Sequence, residues 1–328
     1  MPRVALLATG GTIASRSTDG GASTAQDAGA ALVARLDLPS GIEVRVEDVF
    51  TVSGFRMTLD RLHTLARAVA AQFADPAVAG VVVTHGTDTT EETAYFLDLF
   101  HDDDRPVVLT GAQRAADAPD SDGPRNLGDA VIVAADAAAT GLGVLIGFGG
   151  QLFPARGTRK THTLAADTFT NPYGGALGWV HRGEVGIVTR PRRGQAVDLA
   201  AFDPTGVRVD VVTCYPDADA TALHAFADAG ARGLVLEATG AGNANPAICA
   251  AVQELTAAGL VVVTSTRVAA GPVAAIYGDG GGVDLQAAGA VPSGLLRPSQ
   301  ARVLLAAMLG THRAPDAVRE AFMARARP

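Results

Sequence analysis

Three short segments of this 328-residue chain place hydroxyl, carboxylate and amine side chains where they could act together. Thr9-Gly10-Gly11-Thr12 leaves an apolar run, Val4 to Ala8, and its paired glycines let backbone N–H groups approach a ligand while Thr12 presents a hydroxyl. His85-Gly86-Thr87-Asp88-Thr89 follows a second apolar run, Val81 to Thr84, and precedes Glu91-Glu92-Thr93-Ala94, so Thr87 and Asp88 stand between a strand end and a helix start. Asp88 reads there as a buried carboxylate able to hold a substrate ammonium, and Thr87 as a hydroxyl able to relay a proton. Lys160, in Arg156-Gly157-Thr158-Arg159-Lys160-Thr161-His162, is one of the few side-chain types whose basicity can fall far enough in a dry site to act as a base at neutral pH. Each segment also has a structural reading. Gly10-Gly11 makes a tight strand-to-helix turn, Thr89 with Glu92 makes a capping box, Asp88 steadies a helix dipole, and Lys160 is a solvated charge.

Spacing excludes other chemistries. The glycine-rich turn lacks the Lys-Ser/Thr of a Walker loop, and Ser15 stands where a dinucleotide fingerprint has its third glycine. The histidines show no His-Glu-x-x-His or paired-ligand spacing, and Cys214 and Cys249 lack metal-ligand spacing, so neither a metal nor another cofactor is expected. A Gly-x-Ser-x-Gly elbow is also missing.

Further apolar runs, Val107 to Thr110, Leu142 to Phe148, Val185 to Val188, Val209 to Thr213, Leu234 to Glu237 and Leu260 to Thr264, read as buried strands. Helix-like stretches at Leu59 to Phe73, Glu91 to Phe100, Asn126 to Ala139, Pro246 to Ala258 and Ser299 to Leu309 alternate with them, and no long β-only stretch stands out. That alternation predicts an α/β protein with parallel sheets and crossover helices, whose ligands bind in loops at strand C-terminal ends. The length predicts two domains, and the Pro-, Gly- and Arg-containing segment from Arg190 to Arg208 suits a linker. The expected division is 1–189, a linker at 190–210, and 211–328. Ser15 to Ala30, rich in small and polar residues, reads as an irregular solvated insertion or a lid. A net charge of −8 argues against nucleic acid, although Arg156, Arg159 and Lys160 could line a local basic pocket. No apolar run approaches the ~20 residues of a membrane span. The first strand starts directly after Met1-Pro2-Arg3, leaving no room for a cleavable leader, and two cysteines suit a reducing compartment, so a cytoplasmic protein is expected.

The segments Thr9-Gly10-Gly11-Thr12-Ile13-Ala14-Ser15 and His85-Gly86-Thr87-Asp88-Thr89 resemble the two signatures of bacterial L-asparaginases. Leu109-Thr110-Gly111-Ala112, Ser121-Asp122-Gly123-Pro124, Arg159-Lys160, the Gly240 to Asn245 turn and Pro298 to Leu305 follow in matching order along nearly the whole chain. The resemblance implies two α/β domains, a larger N-terminal one with a parallel or mixed sheet and a smaller, flavodoxin-like C-terminal one with a parallel sheet. It also implies a small-molecule substrate bound at the C-terminal edge of the first sheet, in a homodimer or homotetramer whose sites are completed by the neighbour's second domain. By position, Thr12, Thr87, Asp88 and Lys160 become the catalytic set. A threonine hydroxyl attacks the side-chain amide, Lys160 draws the proton through Thr87, Asp88 fixes the α-ammonium, and N–H groups of the glycine-rich turn or of Ala112 face the oxyanion. Gly11, Ser53, Gly54, Phe55, Gly86, Ala112 and Asn245 fall around the substrate, Asn245 reaching the neighbouring subunit's site.

The chain departs from the family pattern at three places. It has no tyrosine before Tyr95, so the role of a lid tyrosine is vacant or falls to a group such as Thr18, Asp19 or Thr24. Gly54 and Phe55 stand where relatives carry a polar pair for the substrate carboxylate, and Ser53 serves there only if the loop shifts by one residue. Between Gly278 and Ala290 the only acids are Asp279 and Asp284, where a glutamate is common. The expected reaction is hydrolysis of L-asparagine to L-aspartate and ammonia. Glutamine, D-asparagine or another small amide is the near alternative, and a non-catalytic binder of small acidic metabolites is the alternative of a different kind.

Overall fold

The structure is a computed structural model describing residues 1–18 and 22–327. It divides into two compact units, Met1–Val197 and Asp198–Pro328.

In chain order the first unit contains β1 (Arg3–Gly10), β2 (Ser15–Ser17), β3 (Ser23–Ala25), α1 (Gly29–Val33), β4 (Glu43–Val52), α2 (Leu59–Gln72), β5 (Val78–Thr84), α3 (Thr90–Phe100), β6 (Val107–Thr110) and α4 (Gly123–Ala135). There follow β7 (Val144–Phe148), β8 (Gln151–Pro154), β9 (Arg159–Lys160), β10 (Phe169–Thr170), β11 (Gly178–His181) and β12 (Glu184–Ile187). Eight of these strands form one mixed sheet in the order β12-β11-β8-β7-β6-β5-β1-β4. From β4 to β7 the neighbours run parallel, whereas β8, β11 and β12 are antiparallel additions. The central strands are covered on both faces, which is why they are near-continuous apolar runs: Val4, Leu6, Leu7, Val81, Val82, Val83 and Leu109 are all fully buried. β4 escapes that pattern. As an edge strand it turns Val44 and Val46 to the core and keeps Arg45, Glu47 and Asp48 exposed, so it has no apolar run to read.

Two sequence expectations need correction. Residues 144–187 are a long β-only stretch of six strands. The cause is local: β7 passes into β8 through Gly149 and Gly150, with φ of 60° and 76°, and a two-residue turn with positive φ at both positions closes an antiparallel hairpin instead of feeding a crossover helix. The segment Ser15 to Ala30 is not irregular throughout either, because β2 and β3 pair as a hairpin, Ser15 opposite Ala25. Asp19 lies outside the described residues. The helix expected from Asn126 to Ala139 starts earlier, at Gly123 with Pro124 in its first turn, and ends at Ala135; Asp136 then accepts from the N–H of Ala138 in a separate single turn.

The second unit contains β13 (Val209–Thr213), α5 (Thr221–Asp228), β14 (Gly233–Ala238), α6 (Pro246–Ala257), β15 (Val261–Thr266), α7 (Gly282–Ala287), β16 (Val291–Pro292), α8 (Pro298–Thr311) and α9 (Pro315–Ala326). Its four strands are parallel and lie in sequence order. The segment before it is tied to the first unit: Arg190 donates to Thr140 O at 2.8 Å, Arg193 to His101 O at 2.6 Å, and Val197 N to Leu99 O at 2.7 Å. Among the described residues no helix is long and apolar enough to cross a membrane, and no three metal-ligating side chains cluster.

Candidate active site

Four parallel neighbours, β4, β1, β5 and β6, end together. Gly10 is level with Val52, Ala8 with Thr84, and Thr84 with Thr110. With strands about 4.8 Å apart, the loops that begin at Gly11, Ser53, His85 and Gly111 leave one sheet edge side by side. Hydrogen bonds extend the ladder past the strand ends: Thr9 Oγ1 donates to Thr84 O at 2.7 Å and His85 N to Thr110 O at 2.8 Å. The loops then touch backbone to backbone. A Cβ on Gly11 would sit 2.4 Å from Gly86 N, and one on Gly54 would sit 2.8 Å from Gly86 O, so glycine at these positions is what lets three loops meet. Gly11 N–H donates to Val52 O at 2.9 Å and so anchors the adjoining loop. Thr12, half-buried, opens the single turn Thr12–Ala14; because Gly11 lies against Gly86, Thr12 and Thr87 stand on adjoining loops.

Thr87 is buried and carries the contacts that join the site. Lys160 Nζ donates to Thr87 Oγ1 at 2.8 Å and to Asp88 Oδ1 at 2.9 Å, and Thr87 Oγ1 donates to Gln113 Oε1 at 2.9 Å. Lys160 comes from β9, whose backbone is held by Glu91 of α3: Glu91 Oε2 accepts from Lys160 N at 2.7 Å. Asp88 is not buried as expected. Its side chain is 56% exposed, against 15% for Lys160, and it faces a cleft of about 390 Å³ lined also by Glu91, Arg159, Lys160 and the segment Thr161 to Thr163. The capping box is absent as well, because Thr89 Oγ1 donates to Gly54 O at 2.8 Å and tightens the contact between loops.

Behind the turn, His85 is fully buried. Its Nδ1 lies 2.8 Å from Gly86 O, a group that can only accept, so Nδ1 carries the hydrogen and Nε2 accepts from Thr93 Oγ1 at 3.0 Å. Burial pushes this imidazole down to about 4, so it stays neutral and acts as a brace for Gly86. The thiols of Cys214 and Cys249, both free, are pushed up to about 11 by burial and are poor nucleophiles.

The remaining sequence-derived residues divide. Gly11, Gly54, Gly86 and Ala112 are buried at the shared edge, and Ser53 is half-buried beside them. Phe55 is 72% exposed, and neither it nor Thr12 lines the cleft. Asn245 lies in the second unit and caps α6: its Oδ1 accepts from Ile248 N at 3.0 Å and its Nδ2 donates to Ala218 O at 2.7 Å, so both polar ends of the expected cross-subunit residue serve its own fold. Thr18 and Thr24 use their hydroxyls within the β2–β3 hairpin region, toward Ala22 O and Gln26 Nε2.

The asparaginase N-terminal model matches residues 3–193, and the glutaminase/asparaginase C-terminal domain model matches residues 208–322. The chain belongs to the asparaginase family. It is 38% identical to "Probable L-asparaginase" of Deinococcus radiodurans, over 98% of this chain and 97% of that one. It is 34% identical to "Probable L-asparaginase periplasmic" of Haemophilus influenzae, over 98% and 93%. Among solved structures, a "Probable Cytoplasmic L-asparaginase" from Campylobacter jejuni superposes with a TM-score of 0.86 at 33% identity, over 98% of this chain and 99% of the other. Within this asparaginase, Gln113, Glu91 and Asp122 are site residues that sequence reasoning passed over. Asp122 accepts from the N–H groups of Gln113 and Arg114 and from Asn126 Nδ2, fixing the loop after β6. Position was the available signal: Gln113 lies three residues beyond a central strand's C-terminal end, and Glu91 three beyond Asp88.

Proposed function

We propose that this chain hydrolyses the side-chain amide of L-asparagine, releasing L-aspartate and ammonia through a threonine nucleophile. The observation that carries this is the shared hydrogen-bonding of Lys160 with Thr87 and Asp88 at the sheet edge where Thr12 emerges, in a chain that matches asparaginase domains along its length. A threonine hydroxyl adds to the amide carbon as its proton passes to a base, the nitrogen takes up a proton and leaves as ammonia, and water then cleaves the resulting ester. Lys160 is one hydrogen bond from the Thr87 oxygen, the distance such a transfer needs. Asp88, exposed to the cleft, is placed to meet a substrate α-ammonium, and about 390 Å³ suits a small molecule.

The same reading makes the active species a homodimer or homotetramer with shared sites; the exposed Tyr215, Ile276 and Tyr277 of the second unit offer apolar surface for such contacts. It also includes a cytoplasmic location, supported by two cysteines that remain free and by the name of the Campylobacter protein. The deciding experiment is ammonia release from L-asparagine, D-asparagine, L-glutamine and a dipeptide amide. The expected order puts L-asparagine first by kcat/KM. A preference for glutamine or the D-isomer would move the assignment within the family, and no release from any amide would favour the binder.

A further inference from the structure

We propose that Gln113 is a positioning residue for this reaction, setting the direction of the Thr87 hydroxyl and tying it to the hairpin loop that borders the cleft. The inference rests on the amidohydrolase reading above and deepens it. The Gln113 backbone is immobilised by Asp122, which accepts from its N–H. Its side-chain Nε2 donates to Thr163 O and Ala165 O, both at 3.1 Å. Carbonyl oxygens only accept, so the amide nitrogen must face that loop and the amide oxygen must face Thr87. An amide oxygen also only accepts. The Thr87 hydrogen is therefore directed at Gln113, and its oxygen turns lone pairs to Lys160 Nζ, the donor on its other side.

A threonine hydroxyl otherwise rotates freely about its C–O bond, and a relay works only when the hydrogen and lone pairs lie along the transfer path. Gln113 removes that freedom in the resting site: it holds the Thr87 oxygen against Lys160 Nζ and keeps the hydrogen on the amide oxygen, and transfer to Lys160 follows when the amine is neutral and the hydrogen turns from Gln113 to Nζ. The loop it holds, Thr161 to Thr168, joins β9, which carries Lys160, to β10; His162 Nδ1 braces it by accepting from Leu164 N and Ala165 N. One amide thus connects the hydroxyl, the strand that supplies the amine, and a wall of the cleft.

The test uses Gln113→Met, which keeps the length and removes both donor and acceptor, alone and combined with Thr87→Val. Gln113→Met should lower kcat for L-asparagine about ten- to a hundred-fold, the range expected when a reacting group is misaligned, with KM changed less than about threefold. Adding it to Thr87→Val should cause no further loss beyond Thr87→Val alone. Gln113→Glu, which retains an acceptor for Thr87 and loses the donors to Thr163 and Ala165, should recover part of the kcat. A wild-type kcat in Gln113→Met, or losses that multiply in the double variant, would overturn the proposal while leaving the amidohydrolase assignment standing. A fully active Thr87→Val would overturn the proposal together with the relay role of Thr87, whereas no ammonia release from any amide by the wild type would overturn the amidohydrolase reading itself. Unchanged thermal unfolding of Gln113→Met identifies the effect as local, and a Gln113→Met chain that unfolds early with Gln113→Glu equally inactive would reduce Gln113 to a structural residue.

Discussion

Thr87 meets an amine on one side and an amide oxygen on the other, and its neighbour Asp88 shares the same amine. Groups that share protons act as a unit, so Thr12→Ala, Thr87→Val and Lys160→Met are each expected to reduce turnover by orders of magnitude, with pairs little worse than singles and folding unaffected. Steady-state kinetics on the purified variants checks this; near-wild-type turnover of Lys160→Met at neutral pH would remove it from the base role. The substrate-carboxylate loop poses a different question. Gly54 cannot take a side chain without meeting Gly86 O at 2.8 Å, so replacement there would break the turn rather than add a contact. Phe55, exposed to solvent, is the free position. A charge-assisted hydrogen bond is worth about 1.5–3 kcal/mol, so Phe55→Gln should lower KM for L-asparagine by about tenfold with kcat nearly constant if the polar contact is absent in the native chain. An unchanged KM would mean that Ser53 already holds the carboxylate or that position 55, which does not line the cleft, stays clear of the substrate.

The loop element that carries Thr87 is braced from behind by His85, and this has a measurable pH signature. The folded imidazole is depressed to about 4 from an unfolded value near 6.5, so between those values the unfolded chain binds the extra proton. Stability from this group is complete above about pH 6.5 and declines as pH falls toward 4, by about 3 kcal/mol in total, with no further loss below. Calorimetry of wild type and His85→Gln over pH 7 to 4 should show a shallower decline in the variant. Parallel curves would mean that His85 titrates normally in the folded state.

For the molecule as a whole, activity is expected to track assembly. Sedimentation velocity at assay concentrations should find the active species heavier than one 33.2 kDa chain, and a fully active monomer would refute shared sites. Asn245→Ala tests the same idea with a complication the fold introduces. Loss of its α6 cap should cost about 1 kcal/mol of second-unit stability, so a raised KM counts as evidence for a cross-subunit role only when measured well below the unfolding transition.

Thr12, Thr87, Asp88 and Lys160 were singled out as a set by the resemblance of their segments to the family signatures, while the place of Thr87 and Asp88 at a sheet edge was legible because a run such as Val81 to Thr84 must be a strand covered on both faces, with the next residues at its C-terminal end. The α/β class followed from the alternation of such runs with helical periodicity, and the expectation of two domains from the chain's length. β4 was not legible, since an edge strand needs only one apolar face, and neither was the antiparallel stretch after Gly149-Gly150, since two positive φ angles reverse the chain without altering its hydrophobic pattern. Burial of Asp88 was misjudged, because exposure depends on what other segments cover and no local signal reports that. Gln113 illustrates the limit most directly. Its amide meets Thr87, 26 positions earlier in the chain, and carbonyls 50 and 52 positions later; only the parallel register of β5 and β6, together with the return of the β9–β10 hairpin, brings those groups within hydrogen-bonding distance.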